Sequence, residues 1–183
     1  MSTLKVVAIA GSIRKGSYNR MLIEFSKSLA PEGMEIEHVH LDDIPLYNMD
    51  LEKEFPVSVS ALKEKIELAD GILMAVPEHN YSFSGVLKNT IDWCSRPPGK
   101  GSWEDKPVVL QSAAGGWAGG VRAQLHLRQV LSYFPMRQMF FPEVCIGAAH
   151  TKFDNDGNLT DQHAVEQIRK QLAQFKTFIE DGR

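Results

Sequence analysis

The residues with the most capacity for chemistry lie in the stretch 11–20, GSIRKGSYNR, which follows the apolar run 6–10. Two hydroxyls (Ser12, Ser17), an amide (Asn19) and three cations (Arg14, Lys15, Arg20) gather there, just ahead of a helical pattern. Free N–H groups and the helix dipole favour an anion at such a helix start. Hydroxyl and amide donors suit one compact phosphate monoester, and an arginine adds a bidentate contact. Taken alone, the stretch serves equally well as an N-capped helix start with a solvated basic face. Two other nucleotide loops are excluded. A dinucleotide fingerprint needs a second early glycine, which is missing, and Asp42 mimics its ribose-binding acid only at a loop entrance. Gly11 and Gly16 have the spacing of a triphosphate loop, but Ser17 and Tyr18 replace its lysine and its metal-binding hydroxyl. A Cys-x5-Arg phosphatase loop is absent too.

A second stretch, 77–85 (PEHNYSFSG), is longer and more polar than a minimal strand-to-helix turn requires. Tyr81 is suited to flank a planar ligand, and Asn80 with backbone N–H groups to bond its polar edge. The third, 112–120 (SAAGGWAGG), holds four glycines, which permit close backbone approach to something flat. One stretch favours a phosphate and two favour a flat, polar-edged ring. A mononucleotide with a large planar base fits all three, and FMN is the obvious one.

These stretches need a frame that brings them to one edge. Short branched runs alternate with amphipathic segments. Strands are expected at 4–10, 35–41, 71–77, 106–112 and 138–146, with 42–50 as a loop. Helices are expected at 19–30, 58–68, 84–95, 121–133 and 161–179, the last with Val165, Ile168, Leu172, Phe175 and Ile179 on one face. That alternation predicts right-handed βαβ units in an α/β fold. The expected form is a flavodoxin-like, doubly wound five-stranded parallel sheet, order 2-1-3-4-5, with helices on both faces. Ligands of such sheets sit beyond the carboxyl ends of the strands, where strand order reverses. The three stretches follow the first, third and fourth strands.

At 183 residues the chain reads as one domain spanning 1–183. A net charge of −3 without a basic block argues against nucleic acid as partner. No apolar run approaches the ~20 residues of a membrane span. The first residues run straight into a strand without a secretory leader, and Cys94 and Cys145 read as buried reduced thiols, so a cytoplasmic location is expected. His126, His150 and His163 have no partners at ligand spacing, so no metal is expected; 154–158 (DNDGN) reads as a turn, and Trp93 and Cys94 as helix packing.

The sequence resembles the NAD(P)H-dependent FMN reductase family, particularly its quinone- and chromate-reductase members, over nearly its whole length. The stretch 11–20 is similar to the family's G-S-x-R-x-x-S-x-N phosphate loop, and 77–82 to its P-E-Y-N-Y-S flavin loop, followed by 85–93 (GVLKNTIDW). The segments 119–122 and 126–129 resemble the region after the fourth strand. The resemblance implies phosphate contacts from Ser12, Arg14, Ser17 and Asn19. It implies ring contacts from Pro77, Glu78, Asn80, Tyr81 and Ser82, with Ser112 and Gly115 near the other edge. Tyr18, Arg20 and His79 complete the candidate cofactor-binding set. A homodimer or homotetramer with FMN at subunit boundaries is implied as well. The chain departs from the pattern at His79, where tyrosine is usual, and at Phe83 and Ser84, which replace an aliphatic–proline pair. Leu125 stands where some chromate-reducing relatives carry an interfacial tyrosine, whereas Arg122 and Glu143 match other members of that network.

The expected reaction is ping-pong hydride transfer from NAD(P)H to FMN and on to quinones or other small acceptors, among them chromate, azo compounds and ferric complexes. The cofactor carries the chemistry, so no catalytic side chain is assigned. His79 has the chemistry of a proton donor, but a packing or solvent-facing role is the plainer expectation. The alternative is a non-enzymatic FMN electron carrier or flavin sensor, for which the mild acidity offers little docking charge.

Overall fold

The computed structural model describes residues 3–182. The elements run β1 (Leu4–Ala10), α1 (Tyr18–Ser28), β2 (Met34–Val39), α2 (Val57–Leu68), β3 (Gly71–Ala75), β4 (Glu78–His79), β5 (Ser82–Phe83), α3 (Gly85–Cys94), β6 (Pro107–Ala113), α4 (Val121–Leu131), β7 (Arg137–Ile146) and α5 (Gln162–Glu180). The main sheet is parallel, in the order β2-β1-β3-β6-β7. This is the expected 2-1-3-4-5 order, with β6 and β7 as its fourth and fifth strands.

The central strands are largely apolar because both faces are covered. Alternate residues point to opposite sides. Ala8, Leu73 and Val109 pack with Leu22 and Ile23 of α1 and with Ile168, Leu172 and Phe175 of α5. Their neighbours Ile9, Met74 and Leu110 pack with Leu62, Ile66, Leu87, Ile91 and Leu127 of α2, α3 and α4. Burying each large apolar side chain stabilises the fold by roughly 1.5–3 kcal/mol. One polar chain crosses the first layer. Ser26 Oγ donates to Gln111 Oε1 (2.9 Å), Gln111 Nε2 to Gln171 Oε1 (3.0 Å), and Gln171 Nε2 to the Pro142 carbonyl (2.6 Å). Each member is buried and bonded, which makes polar groups tolerable there.

Three details differ from expectation. The second strand ends at Val39, and the expected loop 42–50 runs into a short 3-10 turn at Met49–Lys53. The stretch 77–85 contains a hairpin, with Glu78 opposite Phe83 and His79 opposite Ser82. Its turn residues Asn80 (φ 49°) and Tyr81 (φ 68°) are both left-handed, the geometry of a tight primed turn. In the β6–β7 pairing the register shifts between Val109 and Gln111, so the segment 140–143 bulges outward with Phe140 and Phe141 exposed.

Candidate functional site

Strand order reverses between β1 and β3, and the loops after β1, β3 and β6 meet there at the carboxyl edge. Packing draws the first two together. Ser84, the N-cap of α3, accepts from Leu87 N (3.2 Å) while its hydroxyl donates to the Gly11 carbonyl (2.5 Å). A side chain at Gly11 would stand 2.9 Å from Pro77 Cδ, so this approach requires glycine.

Between the loops lies a cleft of about 280 Å³, lined by Ser12, Arg14, Ser17, Tyr18, Asn19, Pro77, Glu78, His79 and the segment 113–115. A second cleft of about 190 Å³ shares Glu78, Ala114 and Gly115 with it and adds 116–120 and Arg122. A further cleft, of about 290 Å³, lies beside Lys5, Glu35, Glu37 and Lys65, away from this edge.

The phosphate-type donors face the first cleft. Ser17 is the N-cap of α1 (φ −79°, ψ 123°), yet its side chain makes no capping hydrogen bond, so its hydroxyl and the first-turn N–H groups are available to an anion. Ser12 Oγ accepts from Arg14 N (3.3 Å), and the Arg14 guanidinium donates to the Gly16 carbonyl and sits 5.9 Å from the Tyr18 ring centroid. Tyr18 stacks on Phe153 at 5.7 Å. Asn19 lines the cleft with both polar atoms engaged: Nδ2 donates to the Ala113 carbonyl (2.9 Å) and Oδ1 accepts from Ala113 N (3.1 Å). Arg20 points away from it. Its guanidinium reaches the Ile13 carbonyl (3.3 Å), Asp42 (3.2 Å) and His40 Nδ1 (2.8 Å).

The ring-type residues divide in the same way. Pro77, Glu78 and His79 line the first cleft. His79 is exposed, and so are Asn80 and Tyr81 at the hairpin turn. Ser82 is turned toward α4, where its hydroxyl meets His126 Nδ1 at 2.8 Å. Arg122, one helical turn before His126, stands 3.1 Å from Glu78 Oε1 and 4.2 Å from the Tyr81 ring centroid. The Glu78–Arg122 pair is close but poorly aligned, for Arg122 Nε and Glu78 Oε2 are buried without hydrogen-bond partners. Glu78 therefore brings an unspent acceptor to a residue that lines both clefts. Ser112 is fully buried; it donates to the Gly119 carbonyl (2.6 Å) and accepts from Gln124 Nε2 (2.8 Å). It serves the site by holding the glycine loop. Gly115 lines both clefts, and a Cβ built on it meets nothing within 4 Å.

Arg122, His126 and Gln124 are the residues that sequence reasoning left without a place in the site. The i,i+4 spacing of Arg122 and His126 was the available signal, since it puts both on one helix face. Both cysteines are free thiols. Burial pushes Cys94 up to about 12, and it raises Cys145 too, although Cys145 is only half-buried and accepts from Gln124 Nε2 (3.3 Å). Trp93 and Cys94 pack in the core. The 154–158 segment is a turn in which Asp154 Oδ1 accepts from Asp156 N and Asn158 N.

The chain is similar to known proteins over most of its length. The NADPH-dependent FMN reductase family model matches residues 4–151. An NAD(P)H-dependent FMN reductase of Pseudomonas aeruginosa is 43% identical over 177 residues, 96% of this chain and 95% of that protein. The quinone reductase of Escherichia coli is 41% identical over 181 residues, 97% and 96% of the two chains. Among solved structures, the flavoenzyme NAD(P)H:acceptor oxidoreductase of Paracoccus denitrificans superposes with a TM-score of 0.90 at 34% identity, covering 98% of each chain.

Proposed function

This chain belongs to the NADPH-dependent FMN reductase family, and from that premise we propose that it carries electrons from NAD(P)H to quinones by a ping-pong sequence at the paired clefts. It is an NAD(P)H-dependent oxidoreductase with FMN as cofactor and small molecules as acceptors. The observation that carries the finer reading is the junction of a phosphate-type cleft with a glycine-walled one through Glu78, Ala114 and Gly115.

The residues present fit a flavin mononucleotide. Ser17 leaves its hydroxyl uncommitted at a helix start, and Gly115 leaves open the space that a Cβ would fill. Ser12, Arg14, Ser17 and the first turn of α1 hold the phosphate end. Asn19 keeps that turn in register with Ala113. The β4–β5 hairpin and the 114–120 loop would flank the ring, where Glu78 would offer an acceptor and the loop N–H groups donors to negative charge. FMN would supply the redox chemistry here, hydride transfer between reduced nicotinamide and the acceptor. No acid–base dyad is assigned. Chromate, azo compounds and ferric complexes belong to the same reading, as acceptors that an open site would admit.

Homo-oligomerisation, as a dimer or tetramer, is supported by the exposed Leu125, Tyr133, Phe140 and Phe141 on α4, its C-terminal turn and the β7 bulge. Among the described residues no helix is long and apolar enough to cross a membrane. The free thiols agree with a reducing, cytoplasmic setting.

The test is a visible spectrum of the purified protein, followed by NADH and NADPH oxidation with and without benzoquinone. A yellow protein with acceptor-dependent turnover is expected. A protein that added FMN cannot make yellow sinks the cofactor assignment. Yellow without turnover favours an electron carrier or sensor.

A further inference from the structure

The chain has three tryptophans. Trp93 and Trp103 are fully buried, whereas Trp117 is 88% exposed. A lone exposed aromatic is common on protein surfaces, but Trp117 is not on a loose tip. A Cβ on Gly147 would lie 2.2 Å from the Trp117 carbonyl oxygen, so the loop backbone lies hard against the end of β7. The Gly116 carbonyl accepts from Ala148 N (3.1 Å) and Gly119 N (3.3 Å), which fixes the turn on either side. The backbone that carries the exposed indole is thus packed in place, and Trp117 lines the second cleft with Glu78 and Arg122.

A second exposed aromatic, outside the cleft lining itself, is tied to it through Arg122. Tyr81 is 72% exposed at a φ of 68°, a conformation that bulky side chains rarely adopt. Arg122 lies over its ring and lines the cleft beside Trp117. The hairpin and the glycine loop therefore each present one electron-rich aromatic surface on a constrained backbone, and Arg122 lies over the ring of one and lines the same cleft as the other.

We infer that Trp117, with Tyr81 as the companion surface, is the seat for planar, electron-poor aromatic acceptors of the naphthoquinone class, and that it sets their preference over compact inorganic oxidants. Offset stacking of an indole on an electron-poor ring supplies the selectivity. A compact oxidant has no face to stack. The inference rests on the quinone-reductase reading above.

The experiment uses FMN-loaded protein with NADPH and two acceptors, menadione and ferricyanide. In W117A the kcat/KM for menadione should fall about three- to tenfold relative to that for ferricyanide. The loss should lie in KM, and W117F should recover most of it. Wild-type protein without acceptor should show red-shifted tryptophan emission that acrylamide quenches. An unchanged menadione-to-ferricyanide ratio in W117A overturns the inference. So does a wild-type indole shielded from acrylamide together with a smaller oligomer in W117A, which would make Trp117 an interface residue. Wild-type protein that oxidises NADPH with neither acceptor removes the underlying reading and this inference with it, an outcome recognisable before any variant is made.

Discussion

Asn19 and Ala113, 94 residues apart, exchange a pair of hydrogen bonds: the Asn19 amide nitrogen donates to the Ala113 carbonyl, and its oxygen accepts from the Ala113 N–H. The first turn of α1 is thereby clamped to the end of β6, directly beneath the first cleft. The side chain is 4% exposed, so water cannot readily replace it.

Replacing Asn19 by alanine leaves two backbone groups short of partners. Each unsatisfied buried group costs about 1–3 kcal/mol, so Asn19→Ala should lower the unfolding free energy by about 2–6 kcal/mol. A reduced urea midpoint at constant m would show it. Asn19→Asp should do no better, because a carboxylate would oppose the Ala113 carbonyl. Wild-type stability in both variants would mean that the clamp contributes nothing.

Ser17→Ala should behave in the opposite way. A serine that caps its helix usually contributes about 1 kcal/mol, but the Ser17 side chain makes no such bond. Its loss should leave the melting temperature nearly unchanged and weaken FMN binding roughly tenfold, the scale of a hydrogen bond to a charged group. Titration calorimetry with FMN beside a thermal melt separates the two effects. A lower melting point with unaltered FMN affinity would make Ser17 an ordinary cap.

Two glycines of one loop should part company under substitution. Gly115 has open space where a side chain would go, so Gly115→Val should preserve the fold while obstructing FMN. Gly119 has a φ of 62°, and a Cβ there would sit 2.6 Å from the Cys145 carbonyl carbon. Gly119→Ala should therefore be destabilising whether or not FMN is present. Circular dichroism melts of both variants, run with and without FMN, decide it. Equal melting points in the two FMN-free variants would contradict the assignment.

Acid should destabilise the protein through the α1–β2 contact. Burial holds the His38 imidazole below its ordinary 6.5, against the opposing pull of Glu24. The unfolded chain therefore takes up a proton that the native state resists, and stability falls as pH drops below about 6.5. Burial tends to raise the Glu24 carboxyl, but bonds from His38 and Lys27 outweigh it and hold the group below 4.5. Its stabilisation is present above that value and lost as pH falls further. His38→Gln should flatten the first part of this decline, seen in urea midpoints between about pH 8 and pH 5. The same slope in wild type and variant would refute it.

Much of the frame was legible because period and punctuation are local. Buried strands read as apolar runs, and each expected helix formed within a few residues of its expected ends. The hairpin at 78–83 was not legible. Its strands have two residues each, and its turn is Asn80 and Tyr81 without the usual glycine. The three site stretches could be named because strand order brings them to one edge. The division of labour within them could not. Asn19, Arg20, Ser82 and Ser112 spend their polar atoms on Ala113, His40 and Asp42, His126, and Gly119 with Gln124, partners that only the folded chain supplies.

The loops around the first cleft lead into different layers of the protein. The first-loop donors lead into α1, whose apolar face belongs to the packing layer shared with α5. The hairpin and the glycine loop lead into α3 and α4, which belong to the layer on the other face of the sheet. A molecule seated across the clefts acts as a rivet at the edge of the sheet, tying the loop that leads into one layer to the loops that lead into the other. Its binding free energy then opposes the peeling of either layer alone. The loaded protein should come apart as one unit, whereas the empty one has a seam.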